Sequence, residues 1–271
     1  MRISNIMVSV DNGAAAADRV QLAASIAERF EARLTGVAAR QISGLIAVSD
    51  AREAERLYEI EDRHANEQLA QAKALFEREI RLDIRTAWRS ALAEPKTYLV
   101  EQARAADLVV VGRHGPADGD AGPMGVPAGI LLMEVGRPVL IAPPGIERLS
   151  AKRVVVAWKD TREARRAVHD ALPFLTRADQ THVVVVGSDA DLEGAEDVSA
   201  YLSGHCVTVT THLLRRLAVS AADEFLRFAQ REDADLIVMG AYGHSRLREW
   251  IFGGATSDIL QTTPVCCLMS H

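Results

Sequence analysis

The chain has 271 residues, of which 48 % are hydrophobic and 25 % charged, with a formal net charge of −6. That length suits two domains of ordinary size, and the composition is that of a soluble globular protein. An acidic balance without a long basic block excludes nucleic-acid binding as the main role, and no apolar run reaches the ~18 residues that a membrane helix needs.

The chain opens on a strand pattern, Ile6-Met7-Val8-Ser9-Val10, instead of a basic and then apolar signal segment. The expectation is a cytoplasmic protein. Three cysteines, two of them adjacent (Cys266 and Cys267), form no disulfide framework and agree with a reducing compartment. In the first half, strands are expected near 5–10, 33–39, 83–88, 107–112 and 138–142, with helices near 15–31, 95–105 and 126–135. Val20, Ala23, Ala24, Ala27 and Phe30 recur at helical spacing and mark the buried face of the first helix. Between the second and third strands stands an insertion, Asp50 to Arg81, rich in helix formers, with Asp50 as its candidate N-cap. Its stripe Leu69, Ala72, Phe76 and Ile80 predicts docking at the C-terminal end, and the polar stretch Glu61 to Gln68 predicts a solvated middle.

After the turn Pro143-Pro144-Gly145 the pattern starts again. Strands are expected near 153–158, 182–187, 206–212, 235–240 and 265–269, and helices near 162–176, 219–231 and 254–262. Strands alternating with helices of this length give two tandem α/β domains, 1–146 and 150–271, each a doubly wound five-stranded parallel sheet. A repeat this long means whole domains, not a solenoid.

The repeat is explicit at one place. Ala106-Asp107-Leu108-Val109-Val110-Val111-Gly112-Arg113-His114-Gly115 returns as Ala234-Asp235-Leu236-Ile237-Val238-Met239-Gly240-Ala241-Tyr242-Gly243. Each apolar run, short enough for a buried parallel strand, stops at a Gly-x-x-Gly loop. A further glycine follows in both copies, Gly125 and Gly253, opening an apolar helical stretch. Such loops can turn backbone N–H groups toward an anion, and the following helix adds its N-terminal dipole. A tight turn at a strand end is the plainer use of the same glycines. The closing strands align as Pro138-Val139-Leu140-Ile141 against Pro264-Val265-Cys266-Cys267.

These features resemble the universal stress protein family in its tandem form. The resemblance rests on Gly240-x2-Gly243-x9-Gly253, on Trp158-Lys159-Asp160-Thr161-Arg162-Glu163-Ala164 after a first strand, and on Thr263-Pro264-Val265 near the end. It implies Rossmann-like domains that associate through their last strands, giving an internal pseudo-dimer to which a homodimer of chains and protein partners could be added. It also implies an adenine nucleotide, ATP, on the glycine loop, with a Ser or Thr after the last glycine and an acidic residue after the first strand.

Neither half carries the full pattern. In the second, Gly254 takes the hydroxyl position, Thr256 and Ser257 follow closely, and Lys159 stands at the acidic position. Lys159 either reaches a phosphate or marks a pocket that no longer reads ribose. In the first, Asp11 keeps the acidic position, but Pro116, Gly119, Gly122, Pro123 and Pro127 alter the loop. The expected nucleotide site is therefore Gly240, Gly243, Gly253, Gly254, Thr256 and Lys159, with Val186 beside the base and Asp11 as the first half's remnant. Val37 and Val186, near the ends of the second strands, are the valines that the resemblance sets beside an adenine, although valines there are most often simply core.

No metal site, Walker loop or nucleophile elbow is present in the sequence. His169 is expected to pack its helix, Asp160 to cap it and Asp170 to face solvent. Three classes of function remain: a nucleotide-responsive stress module, a slow ATPase acting as a conformational timer with His244 beside the phosphates, and an interaction scaffold without nucleotide.

Overall fold

A computed structural model describes residues 2–42, 51–80, 83–116, 118–119, 122–192, 194–215, 220–243 and 254–271. The first half contains β1 (Asn5–Ser9), α1 (Ala16–Phe30), β2 (Arg33–Ala39), α2 (Ala51–Glu79), β3 (Thr86–Ala91), α3 (Pro95–Gln102), β4 (Leu108–Gly112), α4 (Ala128–Glu134) and β5 (Val139–Ala142). The second contains β6 (Arg153–Ala157), α5 (Arg162–Leu175), β7 (Gln180–Gly187), α6 (Ala195–Gly204), β8 (Val209–Arg215), α7 (Ala221–Arg231), β9 (Leu236–Gly240), α8 (Ala255–Thr262) and β10 (Cys266–Ser270). The helix α6 fills the place that α2 takes in the first half. None of the helices expected for the second half falls there.

The strands form one ten-stranded sheet in the order β3-β2-β1-β4-β5-β10-β9-β6-β7-β8. Every neighbouring pair is parallel except β5 and β10, which run antiparallel and join the halves. Alternation along the strands sends Ile6, Val8, Val154, Val156, Cys266 and Leu268 to one face, where α1, α2, α5 and α6 pack. Met7, Val155, Ala157, Cys267 and Met269 point to the other, under α3, α4, α7 and α8. Both adjacent cysteines are fully buried core residues, one on each face.

The central seam corrects the alignment of the closing strands. Leu140 lies opposite Val110 in its own half and Leu268 lies opposite Val238. Val110 and Val238 are repeat partners, so Leu140 corresponds to Leu268 and not to Cys266. The seam agrees, because Leu140 faces Leu268 while Val139 faces Met269 and Ile141 faces Cys267. This is the reciprocal pairing that an isologous two-fold contact requires. The slip is of two residues, and an even slip leaves each side chain on its face, so the apolar pattern could not reveal it.

Helix ends follow local chemistry. Thr161 caps α5 by accepting from the Ala164 N–H, Ser220 caps α7 from the Asp223 N–H, and Glu94 caps α3 ahead of Pro95. The expected buried face of α1 is present in full. In α2, Leu69, Ala72 and Phe76 are buried and Ile80, just after the helix, is partly buried, as the stripe predicted. The polar stretch before them is less solvated than expected. Ala65 is fully buried, Arg40 donates to Gln68 and Glu61, and Asn12 donates to the Gln68 carbonyl. Its candidate cap Asp50 lies outside the described residues.

The repeated aspartates also have a fold role. The Asp107 carboxylate accepts from the backbone N–H groups of Ser4 and Asn5, and Asp235 accepts from the Ala151 N–H and the Ser150 hydroxyl. Each fixes the chain as it enters the first strand of its half.

Candidate functional site

In the second half the sheet order reverses between β6 and β9. The carboxyl ends of β6, β7, β8 and β9 meet there around a cavity of about 860 Å³. A crevice at such a switch point is where open α/β sheets receive ligands. One wall is apolar, with Ala157, Val186, Phe225 and Met239; the opposite side holds Gly240, Gly243 and the start of α8 at Ala255 and Thr256. Lys159, Asp160 and Thr161 lie between them, and Ser188, Asp189 and Arg215 edge the far side.

Each glycine has a measurable reason for lacking a side chain. A Cβ on Gly240 would stand 2.4 Å from the Ala164 nitrogen, so this glycine lets the N-terminus of α5 press against β9. A Cβ on Gly243 would approach Glu163 Oε2 and Thr161 at 3.2 Å. Gly254 is the N-cap of α8 and offers no side-chain cap. Thr256 is buried, and its hydroxyl accepts from the Tyr242 N–H at 3.3 Å, tying the glycine loop to α8. Gly253 and His244 lie outside the described residues.

Charge in the cavity is mixed. Lys159 is exposed and forms no ion pair among the described residues, whereas Asp160 is held by Arg165 at 2.6 Å. Arg215 and Asp189 approach to 3.7 Å at the exposed edge. Glu163 is buried beneath the loop. Burial alone would raise its carboxyl pKa, but hydrogen bonds from Arg162 and its own N–H, with the Arg162 charge and Thr161, keep it below the usual range. Among the described residues no group of three or more His, Cys, Asp or Glu could hold a metal ion.

The matching place in the first half holds a buried ion pair. The Asp11 carboxylate receives Arg19 Nη2 at 2.7 Å, with both side chains almost wholly buried, and also caps the Gly13 N–H. Arg19 further donates to the Ser9 carbonyl, and its Nη1 would lie 2.4 Å from a Cβ on Gly112. Burial and the Arg19 charge push the His114 imidazole below its usual pKa, against Asp11 and Asp118. The glycine loop itself leans on the other half. A Cβ on Gly115 would stand 2.0 Å from the Gln261 carbonyl oxygen, and Arg113 donates to the Thr263 carbonyl while pairing with Asp118.

The structure thus brings Gly240, Gly243, Thr256, Lys159 and Val186 to one cavity and sets Asp11 in an internal ion pair. By register Val37 corresponds to Val184, not Val186, since the Val10 N–H bonds to Val37 and the Trp158 N–H to Val184. Both Val37 and Val184 are core residues. His169 is exposed instead of packed, Thr161 and not Asp160 caps α5, and Asp170 accepts from the Ser270 hydroxyl instead of facing solvent. Sequence reading missed Arg19. The clue was available in the repeat, where Ala167 stands at the corresponding place.

A family model described as "Universal stress protein family" matches residues 2–142 and again 150–271. The chain belongs to the universal stress protein family. Among relatives, Universal stress protein Slr1230 of Synechocystis is 25 % identical over 169 residues, covering 59 % of this chain and 56 % of that protein. The match thus spans little more than half of that relative's length. A universal stress protein from Archaeoglobus fulgidus superposes with a TM-score of 0.69 at 13 % identity, covering 99 % of this chain and 96 % of that one. The Pseudomonas aeruginosa protein PA1789, described as functionally unknown, gives 0.54 at 18 % identity over 99 % and 92 %. These likenesses establish a tandem universal stress protein fold, with both units of the family on one chain.

Proposed function

We propose that this universal stress protein binds an adenine nucleotide, ATP, in its second half and serves as a cytoplasmic stress-response module, not a committed enzyme. The observation that carries this reading is the cavity of about 860 Å³ at the strand ends of the second half, which gathers Gly240, Gly243, Thr256, Lys159 and Val186. That volume lies in the range of small-molecule sites, ~300–1,000 Å³. The base would lie on the wall of Val186, Ala157 and Met239, and the phosphates on the backbone of Gly240 and Gly243 and the α8 N-terminus at Gly254 and Thr256. Gly253 belongs to the same loop. Lys159 supplies a cation toward the phosphates. Asp11 takes no part, because its carboxylate is already engaged.

Protein purified without added nucleotide should release ATP or ADP on denaturation, read by mass spectrometry. In calorimetry, Gly243→Val should weaken ATP binding by about 1–3 kcal/mol, the scale of lost charge-assisted hydrogen bonds, with circular dichroism confirming the fold. Absence of both released nucleotide and titratable ATP binding would leave the scaffold reading standing. Phosphate release over hours would instead favour the timer.

A further inference from the structure

At the opposite end of the sheet the two halves meet at the ends of α1 and α5. A cavity of about 420 Å³ opens there, lined by Arg2, Arg29, Phe30, Glu31 and, from the second half, Pro173, Thr176 and Arg177. Phe30 is buried and meets Phe174 edge to face, with ring centroids 5.1 Å apart. Both central guanidinium groups stand over the Phe30 ring, Arg177 at 4.3 Å and Arg29 at 5.7 Å from its centroid. Arg29 is fixed from behind by its hydrogen bond to the Ser150 carbonyl.

Arginines at helix C-termini have an ordinary explanation, since the helix dipole favours cations there. That explains one arginine on each helix. It does not explain why both converge on one ring and one cavity, where like charges repel. Burial and then Arg177 depress the pKa of Arg29, while Asp235 acts in the other direction. Of the nearby carboxylates, Glu31 lines the cavity and pairs with Arg2 at the exposed surface, at 3.4 Å. Asp235 accepts from Ser150 and Ala151 through one oxygen, and its other oxygen is buried without a hydrogen-bond partner among the described residues. Neither Arg29 nor Arg177 forms an ion pair among the described residues.

We infer that this inter-half cavity is an anion site for a dianionic phosphate group, held between the Arg29 and Arg177 guanidinium groups with Arg2 at the rim. A doubly charged oxyanion balances two guanidinium charges, and planar N–H forks match phosphate oxygens in pairs. Aromatic support beneath the forks holds them in place while neither is committed to an ion pair among the described residues. The site needs both halves, so it exists only in the joined pair. The phosphate can be inorganic or part of a phosphate monoester.

Calorimetric titrations of the full chain with inorganic phosphate and, separately, with glycerol 3-phosphate test the site and identify the source by the tighter ligand. At least one should bind, and Arg177→Gln should weaken it by about tenfold or more, the effect of losing a charge-assisted contact. Arg177 is exposed, so the variant should keep the native circular dichroism spectrum; Arg29→Gln gives a second, independent loss. Lys159→Gln, in the nucleotide cleft, should leave this binding unchanged. The inference is overturned if neither anion binds the native protein, if Arg177→Gln binds as tightly, or if Lys159→Gln abolishes the binding. The first two results leave ATP binding in the other cleft untouched, whereas the third would move the anion to that cleft.

Discussion

The two clefts of this molecule share a backbone plan and differ in what occupies it. Below Gly240 the second half places the start of α5, at Glu163 and Ala164, and Ala164 also lines the open cavity. Below Gly112 the first half places Arg19, whose guanidinium satisfies Asp11 and the Ser9 carbonyl. The first glycine loop is also engaged by the opposite half through Gly115 and Arg113. A duplicated unit can therefore diverge through one long cationic side chain beneath its strand-end glycine, where its copy packs the start of a helix. The difference lies in a side chain, while the strands and glycines around it stay recognisable.

The largest effect should come from removing the buried cation of the first half. Arg19→Met leaves the Asp11 carboxylate buried without its partner, which typically costs about 3–5 kcal/mol. The unfolding midpoint in urea should fall accordingly, while ATP affinity in the second half stays as in the native chain. Adding Asp11→Leu should recover part of the loss, because an apolar pair no longer leaves a charge uncompensated. A cost below about 1 kcal/mol, the level of an exposed ion pair, would break the comparison.

The fold was largely legible in the sequence because buried parallel strands are continuous apolar runs. The core strands β1, β2, β4, β6 and β9 fall within a residue of their expected ends. The outermost strands were not so well placed. The strand expected at 83–88 is β3, Thr86–Ala91, and the one expected at 206–212 is β8, Val209–Arg215. These strands have one neighbour and half-exposed residues, so the apolar signal is diluted by polar positions such as Arg89, Thr210 and Thr211. The cleft glycines were legible from the repeat. The buried cation of the first half was not, since Arg19 on an amphipathic helix has the same local pattern as a solvated arginine. Its partner, Asp11, lies on a loop outside that helix, where helical periodicity gives no guidance.

The outer margins of the two halves differ next. On the first, Phe76 and Trp88 pack at a centroid distance of 5.3 Å over Gly36. On the second, His182 and His212 meet with ring nitrogens 3.0 Å apart, share the Thr210 hydroxyl and pack on Phe228. Burial lowers the pKa of both imidazoles, and for His182 the His212 charge and the Arg153 and Arg231 charges lower it further, with Glu232 opposing. The folded-state pKa of each lies below its unfolded value of about 6.5. The unfolded chain therefore binds more protons as pH falls through that value, and the stability present above it is lost toward the folded-state pKa. Melting temperature should drop between pH 7.5 and 5, and His212→Gln should flatten that slope. An equal slope in the variant would assign the acid sensitivity elsewhere, with half-buried His114 the first candidate.

The smallest expected effect concerns α2, the long helix that the second half replaces by the shorter α6. Ahead of Glu61 its residues are mostly exposed, including Leu57 and Tyr58. From Glu61 onward the helix gains the Arg40 and Asn12 hydrogen bonds, the buried Ala65 and then the Leu69, Ala72 and Phe76 stripe. Local opening costs less where few buried contacts break, so amides of 54–60 should exchange faster than those of 65–78. The polar contacts move this boundary toward the N-terminus from Gln68, where apolar content alone would have set it. Replacing Arg40 by Met should shift it back, with amides between Glu61 and Gln68 gaining exchange and those after Leu69 unchanged. Uniform protection along α2, or a boundary indifferent to Arg40, would show that the helix is held by something other than its contacts with the first cleft.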